Sequence, residues 1–238
     1  MMHRLSFFFW LVLFLPGCAV NINQASSKIS TPDSDFRISS LAKTDVDAIT
    51  ELHINEALTH LRILMEKLYR RNPREWQKGE EPSMEQTVAK LFEISPFAEY
   101  PGLEGKRGVA CIHLALDTDY AGDRVFAFMY GLVTMTYAAY NNKSEFFLFD
   151  EMDPQKLYNS ARNFEIAAWK LSNAKDAQGN LLILSNESQG PLHNLSFERE
   201  FGKLIGNQDM MAKIIAGRTN RSIVRIIQNL ATAKFLPI

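Results

Sequence analysis

"TDVDAITELHINEALTHLRILMEKLYRRN", Thr44 to Asn72, decides the fold class. Its apolar residues Ile54, Ala57, Leu58, Leu61, Leu64, Met65 and Leu68 recur at steps of three and four, which gathers them on one stripe of an α-helix. The two ends agree with that reading. Thr44 can accept a hydrogen bond from an open N-terminal amide, and Asp45 and Asp47 set negative charge against the positive end of the helix dipole. Arg70 and Arg71 do the converse at the far end, and Asn72-Pro73 stops or restarts the helix. A long helix with one greasy stripe has to bury it, so the rest of the chain should supply helical partners.

It does so repeatedly. Ser83 and Gln86 in "PSMEQTVAKLFEI" form a capping-box pattern ahead of a short apolar helix. Pro96, Pro101, Gly102, Gly105 and Gly108 then make the longest irregular connection. Two further helices are expected in "RGVACIHLALDT" and "YAGDRVFAFMYGLVTMTYAAYNN", separated by a kink at "DTDYAGD". Val125 to Tyr140 carries no charge, but it is short for a span and interrupted by Gly131, Thr134 and Thr136, so it reads as a central helix buried on most faces. Asp153-Pro154 opens another helix, with Leu157, Ala161, Phe164, Ala168 and Leu171 as its seam. "NLLILSNESQGPLHN" reads as a loop with at most a short strand or helical turn. Two final helices are expected, Ser196 to Ala216 ending at Gly217, and Ser222 to Phe235. The expected fold is all-α: a single multi-helix bundle over 44–238.

The front of the chain is different. Arg4 precedes an apolar run from Leu5 to Leu15 broken only by Ser6, too short for a membrane span but right for a secretory h-region. Leu15, Pro16, Gly17 and Cys18 follow, and this front end resembles the signal peptide and lipobox of bacterial lipoproteins. The resemblance implies that 1–17 are removed, that Cys18 is lipidated, and that Ala19 directs the protein to the periplasmic face of the outer membrane of a Gram-negative host. Several acyl chains, at about 0.8 kcal/mol per buried methylene, give stable anchoring where one does not. Residues 18–43, rich in Ser, Asn and Thr, read as a flexible tether with a reach of roughly 25 to 30 Å.

Loss of the leader removes one positive charge and takes the formal charge from −1 to −2, a balance that argues against a nucleic-acid partner. With Cys18 acylated, Cys111 is the remaining thiol, so no intramolecular disulfide forms. His53, Glu56 and His60 share a helical face and are the candidate metal ligands, but no HExxH or ExxH pattern supports a metal, and no cofactor is expected. Cys111 and His113 stand two apart, which points them to different faces and disfavours a thiol–base pair. Asp117, Asp119 and Gly122 begin a calcium-loop pattern that fails at Ala121 and Phe128. Lys67, Arg70, Arg71, Arg74 and Lys78 surround Trp76 and form the candidate patch for a protein partner or lipid headgroups. Three functions remain open on sequence: an envelope binding or scaffold protein, a helical carrier of a lipid or other apolar molecule, and a hydrolase-type enzyme.

Overall fold

The computed structural model describes residues 43–94, 98–186 and 195–238; Cys18 and the tether expected over 18–43 lie outside them, apart from Lys43 itself. The described chain is all-α. Its helices are α1 (Asp45–Arg71), α2 (Pro73–Trp76), α3 (Met84–Ala89), α4 (Val109–Ala115), α5 (Arg124–Ala139), α6 (Pro154–Asn173) and α7 (Ser196–Thr219). A π turn, Lys90–Ile94, continues α3, and a 3-10 turn spans Pro101–Leu103. The only β-type pairing among the described residues is an isolated bridge between Lys175 and Leu181.

The four long helices α1, α5, α6 and α7 close a bundle, each packing on its neighbours in the ring, while α4 lies on α5 and α3 on α1. Their direction alternates, because one end collects the start of α1, the end of α5, the start of α6 and the end of α7. Ile54, Ala139, Tyr140, Leu157, Met211 and Ile215 share one buried cluster there. A larger cluster, with Leu61, Leu64, Leu68, Phe128, Leu132, Phe164, Phe201 and Leu204, fills the rest. Each such side chain contributes roughly 1.5–3 kcal/mol on burial. The charge-free helix α5 is the centre, buried from Arg124 through Thr136.

The caps explain where the helices begin. Thr44 and Asp47 form a reciprocal capping box, Ser83 accepts from the Gln86 amide, Asp123 from Phe126, and Asp153 from Gln155 ahead of Pro154. Two expectations are corrected. Helix α7 does not end at Gly217 but runs to Thr219, where Asn220 takes the left-handed conformation at φ 52°. The helix expected over Ser222 to Phe235 is absent; residues 221–238 are an extended strap with one turn near Leu230.

The reason lies in both partners. Ile223, Val224, Ile226 and Ile227 are β-branched, which weakens helix preference. Side chains of α6 meanwhile supply the strap with backbone partners that a helix would have supplied internally. Gln155 donates to the Val224 carbonyl at 3.1 Å and accepts from its amide at 2.8 Å. The Tyr158 hydroxyl accepts from the Ile226 amide at 3.1 Å, Asn159 donates to the Pro237 carbonyl at 2.8 Å, and buried Asn163 brackets Leu236 at 2.9 and 2.7 Å. Phe235 and Ile238 then pack on the main core.

One glycine is required by packing. A Cβ on Gly131 would stand 2.7 Å from the Gly108 carbonyl and 2.8 Å from the Ile112 side chain, so α4 can lie on α5 only without it. The Gly108 amide is bonded at 2.8 Å to Thr134 Oγ1 on the same face of α5.

Candidate functional site

The candidate ligands His53 and His60 bind α1 to α7. His53 Nδ1 meets Asn207 Oδ1 at 2.9 Å, and Asn207 donates back to the His53 carbonyl at 3.0 Å. His60 is buried, with Nδ1 3.0 Å from Glu200 and Nε2 3.0 Å from Glu56. Lys67 closes the group by donating to the other oxygen of Glu200 at 2.7 Å. Burial works against the charged Glu200, but the bonds from Lys67 and His60 and the nearby Lys203 outweigh it and hold the carboxyl below its ordinary range. No group of three or more metal-ligating side chains occurs among the described residues.

Cys111 and His113 diverge as their spacing requires. The Cys111 thiol is buried and faces the Lys106 carbonyl at 3.1 Å, and burial pushes it up to about 12 despite Lys106. His113 points outward with its ring edge-on to Phe235, 5.3 Å between centroids. A thiol so placed behaves as a small core side chain. Asp117 accepts from the Asp119 amide, which makes a local turn. The buried guanidinium of Arg124 takes the carbonyls of Ala115, Asp117 and Thr118 and so caps the end of α4.

The basic patch is divided by the structure. Lys67 is directed to α7 through Glu200 and the Ser196 carbonyl. Lys78 turns to Glu75 at 2.7 Å and to the Gly122 carbonyl at the start of α5. Trp76 packs against the core and Arg71 is half-buried. Arg70 and Arg74 remain at the surface, with Arg70 3.6 Å from Glu66.

Two features have no counterpart in the sequence reading. The first is a cleft of about 270 Å³ at the start of α5, walled by Tyr100, Tyr120 and Phe126 with Asp123 at its edge. Burial raises Asp123, with Glu75 adding to the shift, against the bonds it accepts from the Phe126 amide and from Tyr69 at 2.7 Å. Burial also pushes the Tyr120 hydroxyl up to about 12, which keeps a neutral phenol beside it. The second is a groove of about 600 Å³ between α5 and the strap, floored by Thr134, Met135 and Ala138, walled by Phe235 and Leu236, with Arg107 and Asn142 at its rim. The strap's Phe235 to Ile238 form one side of it. His193, near Glu198 and Glu200 in sequence, lies outside the described residues; Glu198 itself accepts from Asn186 at 2.7 Å.

No protein-family model matches the chain, and no curated protein or solved structure matches it either.

Proposed function

We propose that this chain is a lipid-anchored protein of the bacterial envelope, held through Cys18 at the periplasmic face of the outer membrane, whose helical domain acts by binding a partner protein. The observation that carries the reading is the ordered front end: Arg4, the apolar run and Leu15-Pro16-Gly17-Cys18. The site geometry adds support, because the candidate groups for chemistry have structural roles: His53 and His60 join helices and Cys111 fills core. Arg70 and Arg74 supply the exposed charge for an acidic partner surface. The test is affinity capture of the full chain from mildly crosslinked envelopes beside a Cys18→Ala version. One stoichiometric partner captured only by the anchored form, and lost on charge reversal at Arg70 and Arg74, supports the reading. Identical capture by both forms, or none, contradicts it.

A second reading has its own observation. The groove under the strap has the volume of a small-ligand site, mostly apolar with two polar side chains at the rim, which suits a carrier of an apolar molecule. Native mass spectrometry of protein purified without detergent decides this one: a retained ligand lost on Ala138→Trp supports it, and bare protein refutes it.

A further inference from the structure

The bundle end where α1 begins differs from the opposite end in its surface. Among the described residues the four most exposed large apolar side chains are Ile227 at 98%, Phe149 at 90%, and Leu52 and Val224 at 67% each. Phe149, Leu52 and Val224 belong to that end, while Ile227 lies against Arg162 and Ile166 on the flank of α6. Phe149 tops the loop between α5 and α6, and Leu52 stands in the second turn of α1. Val224 is held to Gln155 in the first turn of α6, and Ile227 follows the residue bound by Tyr158. Leu148 and Ile49 extend the set at lower exposure, whereas the opposite end shows Leu195 and Leu184 and, among the described residues, no exposed aromatic ring. Scattered exposed apolar residues are ordinary on any protein, but their collection at one end is not.

The loop bearing Phe149 is also firmly held. Its Phe146 packs in the core beside Ile54, the Phe146 amide donates to Glu51 on α1 at 2.9 Å, and Asn141 donates to the Glu151 carbonyl at 2.7 Å. Asp150 accepts from the Phe147 amide at 3.0 Å and pairs with Lys143. A loop pinned at both sides therefore presents Leu148 and Phe149 outward, where a free loop would fold them in. The cations at the same end are each held by an acid: Arg218 by Asp47 at 2.9 Å, Arg221 by Glu151 at 3.6 Å, and Lys143 by Asp150.

The occupant of this end follows from where the chain enters it. Lys43, the first described residue, stands 5.2 Å over the Phe147 ring and 2.7 Å from Glu51, so the described chain begins beside the loop that bears Phe149. We infer that this end of the bundle is a membrane-docking face, with Phe149 and Leu148 entering the headgroup zone of a phospholipid bilayer and the surrounding ion pairs at its border. This rests on the anchoring proposed above: the lipid on Cys18 confines the domain near a bilayer, and the apolar rim then sets which end faces it. Exposed aromatic and aliphatic side chains on a domain confined near a bilayer settle about 5–10 Å into that zone.

The tryptophans permit a direct test. Trp76 follows the end of α1 and Trp169 stands near the end of α6, both at the opposite end of the bundle, while Trp10 precedes Cys18 and leaves with the leader. The lipidated full chain and its Phe149→Trp variant are reconstituted into phosphatidylethanolamine–phosphatidylglycerol vesicles whose acyl chains are brominated near the carbonyl end. The wild-type emission is expected to be unaffected by bromine, and the variant to lose about half of its added emission with a blue shift, the response of a ring within ~5–10 Å of the headgroups. Variant protein that floats with the vesicles but shows no quenching of the introduced indole overturns the docking face and leaves the anchor standing. Equal quenching of wild type and variant places another face on the bilayer and also overturns it. Wild type that fails to float overturns the anchor and the docking face together.

Discussion

Replacing Asn163 with alanine should unlatch the C-terminal strap while leaving the bundle folded. Asn163 is fully buried on α6, and its amide both donates to the Leu236 carbonyl at 2.9 Å and accepts from the Leu236 amide at 2.7 Å. Two such bonds contribute about 1 kcal/mol each net, and the partners left in a half-buried position add a further desolvation cost of about 1 kcal/mol, so the latch loses about 2–3 kcal/mol. That raises the open population of the strap about thirty- to a hundred-and-fiftyfold. Hydrogen exchange reads the change residue by residue: the Leu236 amide should lose protection by that factor, with smaller losses at Val224 and Ile226, which Gln155 and Tyr158 still hold. The buried cores of α1 and α5 should exchange as before, because an opened strap exposes only Phe235, Ile238 and their immediate contacts. Unchanged protection of Leu236 in the variant would refute the latch. A gain of helical circular dichroism on releasing the strap would instead show that α6, and not the β-branched run, prevents a helix there.

Other expectations follow from the ionisable groups. Burial alone would raise Asp47, but its bonds to Arg218 and Thr44 hold it below the ordinary carboxylate range, so its contribution is present above about pH 4 and lost as pH falls through the lower folded value; Arg218→Ala should flatten the acid limb of a urea-midpoint profile, and an unchanged limb would exclude the pair. Glu200→Leu leaves His60 and Lys67 without their shared partner and should cost about 2–4 kcal/mol in chemical denaturation, part of it recovered by adding Lys67→Met; a neutral single variant would contradict the network. The Cys111 thiol, raised to about 12 by burial, should resist a disulfide reagent at about pH 8 in the native protein and react once unfolded, since a free thiol titrates near 8.5. Stoichiometric labelling within minutes in native buffer would mean that α4 opens.

The bundle is legible in the sequence where local and tertiary preferences coincide. The stripe of α1, the Thr44 and Asp153 caps and the charge-free run of α5 each carry their own signal, and each appears where that signal put it. The strap misleads because Ile223, Ile226, Ile227 and Leu230 happen to keep helical spacing. What cancels that spacing is the β-branched run together with four polar side chains of α6, the latter a long-range partnership with no trace in a local window. The same limit governs the sites. His60 and Lys67 stand on α1 with the chemistry of a ligand and a patch residue, and only the approach of Glu200, 140 positions beyond His60, shows them to be joined to one carboxylate. The exposed Phe149 had a partial signal, the aromatic run Phe146, Phe147 and Phe149, but which of the three turns outward depends on Glu51 and Ile54 in α1.

Lipidation of Cys18 is the first requirement of the proposed anchoring. Intact mass measurement of the detergent-extracted protein from a Gram-negative host reads that residue directly. A polypeptide beginning at Cys18 and heavier by a diacylglyceryl group and an N-acyl chain is the predicted result. A chain of unmodified mass, cut elsewhere or still carrying 1–17, would contradict the anchor and with it the membrane-facing orientation of the bundle.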